Sequence, residues 1–113
     1  INAAFQNWLL SRAQNVFSER LAECMKSFPN MTRPELKIRK LKKRWGSYLK
    51  KHQIVLNPDL IKASKRSIDY VIFHELCHAF YPDHTAEFYK LLSTKMPDWR
   101  NMKEKMELKL LSY

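Results

Sequence analysis

The apolar positions change period along the chain, and each change marks an element. From residue 3 to 28, Phe5, Trp8, Leu9, Val16, Phe17, Leu21, Met25 and Phe28 recur mostly at intervals of three and four, the spacing of one helix face. This predicts a long amphipathic helix whose apolar stripe packs on a core. Phe28-Pro29-Asn30 and Pro34 then break the chain into a connector. From Leu36 the period shortens. Leu36 and Ile38 alternate with Lys37 and Arg39, and Trp45 to Leu49 and Ile54 to Leu56 follow, separated by Lys50-Lys51-His52-Gln53. Short runs with polar breaks predict a small antiparallel sheet with at least one hairpin. Asn57-Pro58-Asp59 opens a short helical turn through Ile61, and a central helix is expected from about Ser67 to Tyr81. Its apolar side carries Ile72, Phe73, Leu76, Ala79 and Phe80, which places it in the core. Residues 84 to 95 and 98 to 111 give two more helices, split by Pro97. The expected fold is α+β, a single domain over residues 1–113.

The central helix carries His74-Glu75-Leu76-Cys77-His78. Residues four apart share a helix face, so both imidazoles can reach one metal ion, with Glu75 beside them as a base and not a ligand. At the histidine and glutamate frequencies of this chain, the expected number of chance matches is on the order of 0.01. A catalytic zinc lowers the pKa of its water from about 15.7 to roughly 7, and Glu75 takes the proton. Such a site needs a third protein ligand and an open fourth position. Pro82 forces a turn after the helix, and the turn brings His84 back toward the first pair. Glu87, one turn further on, is the competing ligand. The ligands expected are therefore His74, His78 and His84, holding one Zn2+ per chain, with Glu75 catalytic. A purely structural zinc site would take four protein ligands and leave Glu75 without a role.

These residues carry a wider resemblance. Arg44-Trp45-Gly46-Ser47, Leu56-Asn57, Asp69 to His78, Asp83-His84 with Glu87-Phe88, and Met96-Pro97-Asp98 follow in order over roughly residues 36 to 100. The series resembles the YgjP-like small metallopeptidases, or minigluzincins. The resemblance implies a minimal zincin-like core and hydrolysis of peptide bonds. It also implies a Met96-Pro97 turn beneath the metal. Tyr48 stands where the family usually has cysteine. The zinc segment is also similar to that of the SprT-like peptidases, which act on protein attached to DNA.

A zincin cleft binds its peptide extended along an exposed strand edge. Trp45 to Leu49 is the first candidate for that edge and Ile54 to Asn57 the second. Tyr70 and Tyr81 share the helical face of His74 and His78, which makes them candidate donors to the oxyanion, although the preferred expectation for each is a packed aromatic with a hydrogen-bonded hydroxyl.

Composition narrows the alternatives. Hydrophobic residues at 45% and aromatics at 12% argue for a folded globule. A single glycine, Gly46, excludes glycine-rich phosphate loops. Cys24 and Cys77 are too few for a disulfide framework, so a reduced, cytoplasmic setting is expected. Neither a membrane span nor a signal peptide is expected, and no membrane partner. Net charge is +10, with Lys37, Arg39, Lys40, Lys42, Lys43, Arg44, Lys50 and Lys51 crowded around Trp45 and Tyr48. Interleaved cations and aromatics suit a nucleic-acid surface, while lysines beside an exposed strand also discourage edge-to-edge aggregation. A basic, nucleic-acid-associated zinc protein is therefore the alternative to a peptidase acting on peptide or protein. A short chain also leaves its cleft exposed, which predicts restraint by a homo-oligomer or by the apolar run Met106 to Tyr113. The other expectation for that run is a packing helix with Met106, Leu110 and Tyr113 on the core.

Overall fold

A computed structural model describes residues 3–111. In chain order the elements are α1 (Ala3–Met25), β1 (Glu35–Ile38), β2 (Gly46–Leu49), β3 (Gln53–Leu56), a 3-10 turn (Pro58–Lys62), α2 (Lys65–Cys77), α3 (Ala86–Lys95) and α4 (Trp99–Leu111). The architecture is α+β, four helices with a three-stranded sheet. Among the described residues, no helix is long and apolar enough to cross a membrane.

Helix α2 is the element that the others enclose, with α1, β2, α3 and α4 all packing on it. Ser64 caps its start, the Ser64 Oγ accepting the backbone N–H of Ser67 at 3.1 Å. Ile72 and Leu76 are fully buried and Phe73 nearly so. Ala79 and Phe80, expected on the same apolar side, are exposed instead, Phe80 by 52%. The helix ends at Cys77, so the 3.6-residue phase that would have buried them does not reach them.

Helix α1 lays Ala13, Phe17, Leu21 and Cys24 into the core, a stripe at spacings of four, four and three. Arg20 anchors it to α2 through a bidentate pair with Asp69, both contacts at 2.8 Å. Its first turns depart from expectation. Phe5 and Trp8 are 47% and 58% exposed and stack on each other with centroids 6.1 Å apart. A helix of 23 residues is about 34 Å long at about 1.5 Å per residue, and it outruns the body beneath it. Phe28 lies beyond the helix end, in the connector, yet is buried.

The sheet is mixed, with order β1-β3-β2. The hairpin is β2 and β3, antiparallel from Gly46↔Leu56 to Leu49↔Gln53. Strand β1 pairs parallel with β3, Glu35↔Gln53 through Ile38↔Leu56, where an antiparallel neighbour was expected. The segment 39–45 is long enough to carry the chain past the end of β3, so β2 lands on its far side. Ile54, Val55 and Leu56 are all fully buried, as suits a central strand covered on both faces.

Removing a core ring from α1 differs sharply from removing an exposed one. Phe17→Ala should cost about 3–5 kcal/mol, whereas Trp8→Ala should stay within about 0.5 kcal/mol. Urea unfolding midpoints of the two variants measure the contrast; a large loss for Trp8→Ala would mean that the start of α1 is covered in solution.

Candidate metal centre

Three elements deliver the site. Helix α2 supplies His74 and Glu75, and His78 sits at its cap with helical backbone angles (φ −67°, ψ −16°), which preserves the i, i+4 relation. The turn through Pro82 then returns the chain to place His84 before α3. One ligand atom from each of His74, His78 and His84 can be chosen so that all lie within 4.8 Å of one another. His84 Nε2 stands 3.2 Å from His74 Nε2. Four ligands at about 2.1 Å in a tetrahedron stand about 3.4 Å apart, so this pair already has the spacing of two zinc ligands. Nδ1 of His78 donates to the Tyr81 carbonyl at 3.0 Å, which leaves its Nε2 lone pair free. The His74 Nδ1 is buried without a hydrogen-bond partner.

The electrostatics favour neutral imidazoles, the form that binds metal. Burial, reinforced by His78 and His84, pushes His74 down to about 3. His84 is lowered too, by desolvation and then by His78. Burial drives the Glu75 carboxyl up to about 8, with Arg44 pulling the other way. Cys77, fully buried next to His78 in the chain, has its thiol pushed up to about 12 by burial. Three imidazole nitrogen donors beside a buried carboxyl fit a divalent transition metal.

A cleft of about 730 Å³ opens over these residues, with His74, Glu75, His78 and His84 in its lining together with Arg44, Lys50, Tyr48 and His52. The β2 strand borders it. Gly46 permits the close approach, because a Cβ there would stand 3.1 Å from both the Glu75 Cγ and a Val71 methyl. Asn57 holds the preceding loop. Its Nδ2 donates to the carbonyls of Leu41 and Arg44 at 3.0 and 3.1 Å, and its backbone N–H donates to the Trp45 carbonyl at 2.9 Å. The Trp45 indole N–H donates to the Met106 carbonyl at 2.8 Å, tying the same loop to α4.

Several expected features land elsewhere. Glu87 is exposed in the first turn of α3 and outside the histidine cluster. Neither Tyr70 nor Tyr81 is among the residues lining the cleft. Tyr70 is buried in a crevice toward α4, and Tyr81 touches His78 through its backbone carbonyl alone among the bonds described. Residues Ile54 to Leu56 cannot offer a free edge, since β3 is paired on both sides; the outer edge of β2 faces no strand in this sheet. Met106 is almost fully buried and Leu110 partly so, as on a packing helix, while Leu108 is 61% exposed. Ser112 and Tyr113 lie outside the described residues. His52 was read only as part of a polar break. Its left-handed backbone (φ 59°) is a conformation in which histidine is enriched, but nothing in its spacing points to a cleft.

Comparison with curated protein sequences finds no match. Among solved structures, the fold is similar to the metallopeptidase zymogen of Pyrococcus abyssi abylysin, at a TM-score of 0.75 and 20% identity, covering 84% of this chain and 95% of the other. It is similar to the metallopeptidase zymogen of Methanocaldococcus jannaschii jannalysin, at 0.72 and 20%, covering 83% and 96%. At that identity the two show the shared fold. The sequence itself matches the model of the YgjP-like metallopeptidase domain over residues 1–109, a span that takes in the sheet, α2 and the three clustered histidines, and the chain belongs to that family.

Proposed function

We propose that this metallopeptidase is a zinc-dependent endopeptidase in which His74, His78 and His84 hold one zinc ion and Glu75 is the general base. The observation that carries the reading is the convergence of three imidazoles within 4.8 Å, next to a carboxylate that is 7% exposed and on the floor of an open cleft. A zinc ion held there supplies Lewis-acid polarisation of the scissile carbonyl and acidifies the attacking water. The chain does the rest. Glu75 receives the water proton on its carboxylate and passes it to the leaving amine, and its raised proton affinity suits a group that must both take and release a proton near neutral pH. The outer edge of β2, Gly46 to Leu49, receives the substrate backbone as an added strand. Arg44, which lines the same cleft, faces the negative charge that develops on the carbonyl oxygen.

The names of the two structural neighbours describe zymogens, and we extend that restraint to this chain through self-association. An unpaired β2 edge recruits a strand from a second copy as readily as from substrate. Residues 106–111 are the less economical source within one molecule, because Met106 is anchored in the core and its carbonyl is taken by Trp45.

Glu75→Gln should keep zinc at near one equivalent and lose peptide hydrolysis, while His74→Ala and His78→Ala should lose both; undiminished cleavage by Glu75→Gln would remove the base assignment. His84→Ala should weaken zinc binding by orders of magnitude and Glu87→Ala by no more than about 10 to 100-fold, as read by competition with a chelating dye. The reverse order would exchange their roles. Specific activity should fall across a hundredfold rise in protein concentration if copies occupy one another's clefts. A flat profile argues against self-association.

A further inference from the structure

A second depression of about 540 Å³ adjoins the metal cleft, and Tyr48, His52 and Ala79 line both. Its other walls are largely apolar: Phe28, Met31, Phe80, Tyr81 and Leu91. Phe80 stacks on Phe28 with centroids 6.0 Å apart and planes 15° from parallel. Phe28 is buried, but Phe80 is half exposed, and a large exposed ring lining a concave apolar surface marks a ligand site better than a folding contact. The cation in this lining is already engaged. Lys95 donates to the Ser27 carbonyl at 2.7 Å and sits 4.6 Å above the Phe28 ring, so it offers little to an acidic occupant. The partition toward the metal cleft is internally satisfied as well. His52 Nε2 donates to the Thr32 carbonyl at 2.5 Å, which leaves its Nδ1 to accept the Tyr48 hydroxyl. With those polar atoms paired, rings and methyl groups form most of the lining, and Ser27 and Asn30 are its remaining polar members.

We propose that this groove is the specificity subsite of the enzyme and takes one large apolar side chain of the substrate, leucine, methionine or phenylalanine, close to the scissile bond. The proposal rests on the peptide-hydrolase reading above. A peptide added to the β2 edge passes Tyr48, and its side chains point alternately to either side, so a residue near the metal can direct its side chain through the mouth at Ala79. The methyl group of Ala79 leaves that mouth open. The volume lies within the range of about 300–1,000 Å³ typical of small-ligand pockets, enough for one such side chain and part of its backbone. The Tyr48 ring forms part of the wall that the groove shares with the metal cleft.

The test uses the zinc-loaded full chain in two measurements. Cleavage of a peptide library by the wild type should show, at one fixed position, a kcat/KM at least about tenfold higher for leucine, methionine or phenylalanine than for alanine. Ala79→Trp, which closes the mouth, should shrink that ratio to within about threefold, and Phe80→Ala, which removes a wall, should also reduce it. Both positions are exposed, so neither change empties the core. Separately, N-acetyl-leucinamide titrated into the protein should shift the NMR methyl signals of Met31 and Leu91. Cleavage without apolar preference, or with a preference that both variants leave intact, overturns the subsite while the peptidase reading stands. Shifts at Met31 and Leu91 in a protein that cleaves no peptide support the groove's ligand class and overturn the peptidase reading. Absence of both cleavage and shifts overturns the two together.

Discussion

Everything in this fold has to seal a thirteen-residue helix that buries most of its residues and presents His74, Glu75 and, at its cap, His78 to a cleft. The apolar part drives burial, at roughly 25 cal/mol per Å² of surface removed from water. The polar part resists it, since an isolated buried carboxylate is costly. The structure meets both demands by leaving one strip of α2 facing a cleft and covering the rest. The same burial sets the chemistry: desolvation is the largest cause of the downward shift at His74 and of the upward shift at Glu75. One environment thus penalises the charged form of both groups, lowering the proton affinity of the imidazole and raising that of the carboxylate.

The cover is held by a few specific polar contacts. Arg20 and Asp69 fix α1 along α2 in a bidentate pair whose side chains are 14% and 17% exposed, where geometry as well as charge is constrained. Asn57 folds the loop carrying Arg44 and Trp45 back on the end of β3 with its Nδ2 and its backbone N–H, while its Oδ1 accepts from the Asp59 N–H in the turn that follows. Trp45 then joins that loop to α4. Position along the chain matters less here than convergence: a strand and a loop at the cleft wall are braced from behind by a distant helix.

How much of this was legible in the sequence depended on whether a pattern was local. The pair His74 and His78 was legible because helix geometry fixes residues four apart, and the return of His84 was legible because Pro82 bars a helix through this stretch, although α2 already ends at Cys77. The turn at Asn57-Pro58 and the helices on either side of Pro97 were local for the same reason. Long-range order was not legible. A four-residue strand such as Glu35–Ile38 carries no mark of which neighbour it will pair with, although the unbroken apolar run Ile54-Val55-Leu56 was a sign that β3 lies in the middle. Phe5 and Trp8 share the periodicity of Phe17 and Leu21, and periodicity records a face without recording what covers it. Phase along the helix says nothing of depth, and the fold turns Tyr70 into a crevice that His74 and Glu75 also line and Tyr81 into the groove.

Cys77 adjoins a histidine of the metal cluster, where a free thiol would ordinarily be a hazard. A thiolate is a soft, strong ligand for zinc and the form that peroxides attack. Burial holds its thiol well above the ordinary range, which disfavours the thiolate at neutral pH. The side chain is also out of reach of solvent oxidants. Metal capture by the imidazoles should therefore be indifferent to redox conditions, with the sulfur serving only as a small filler in the helix's covered side.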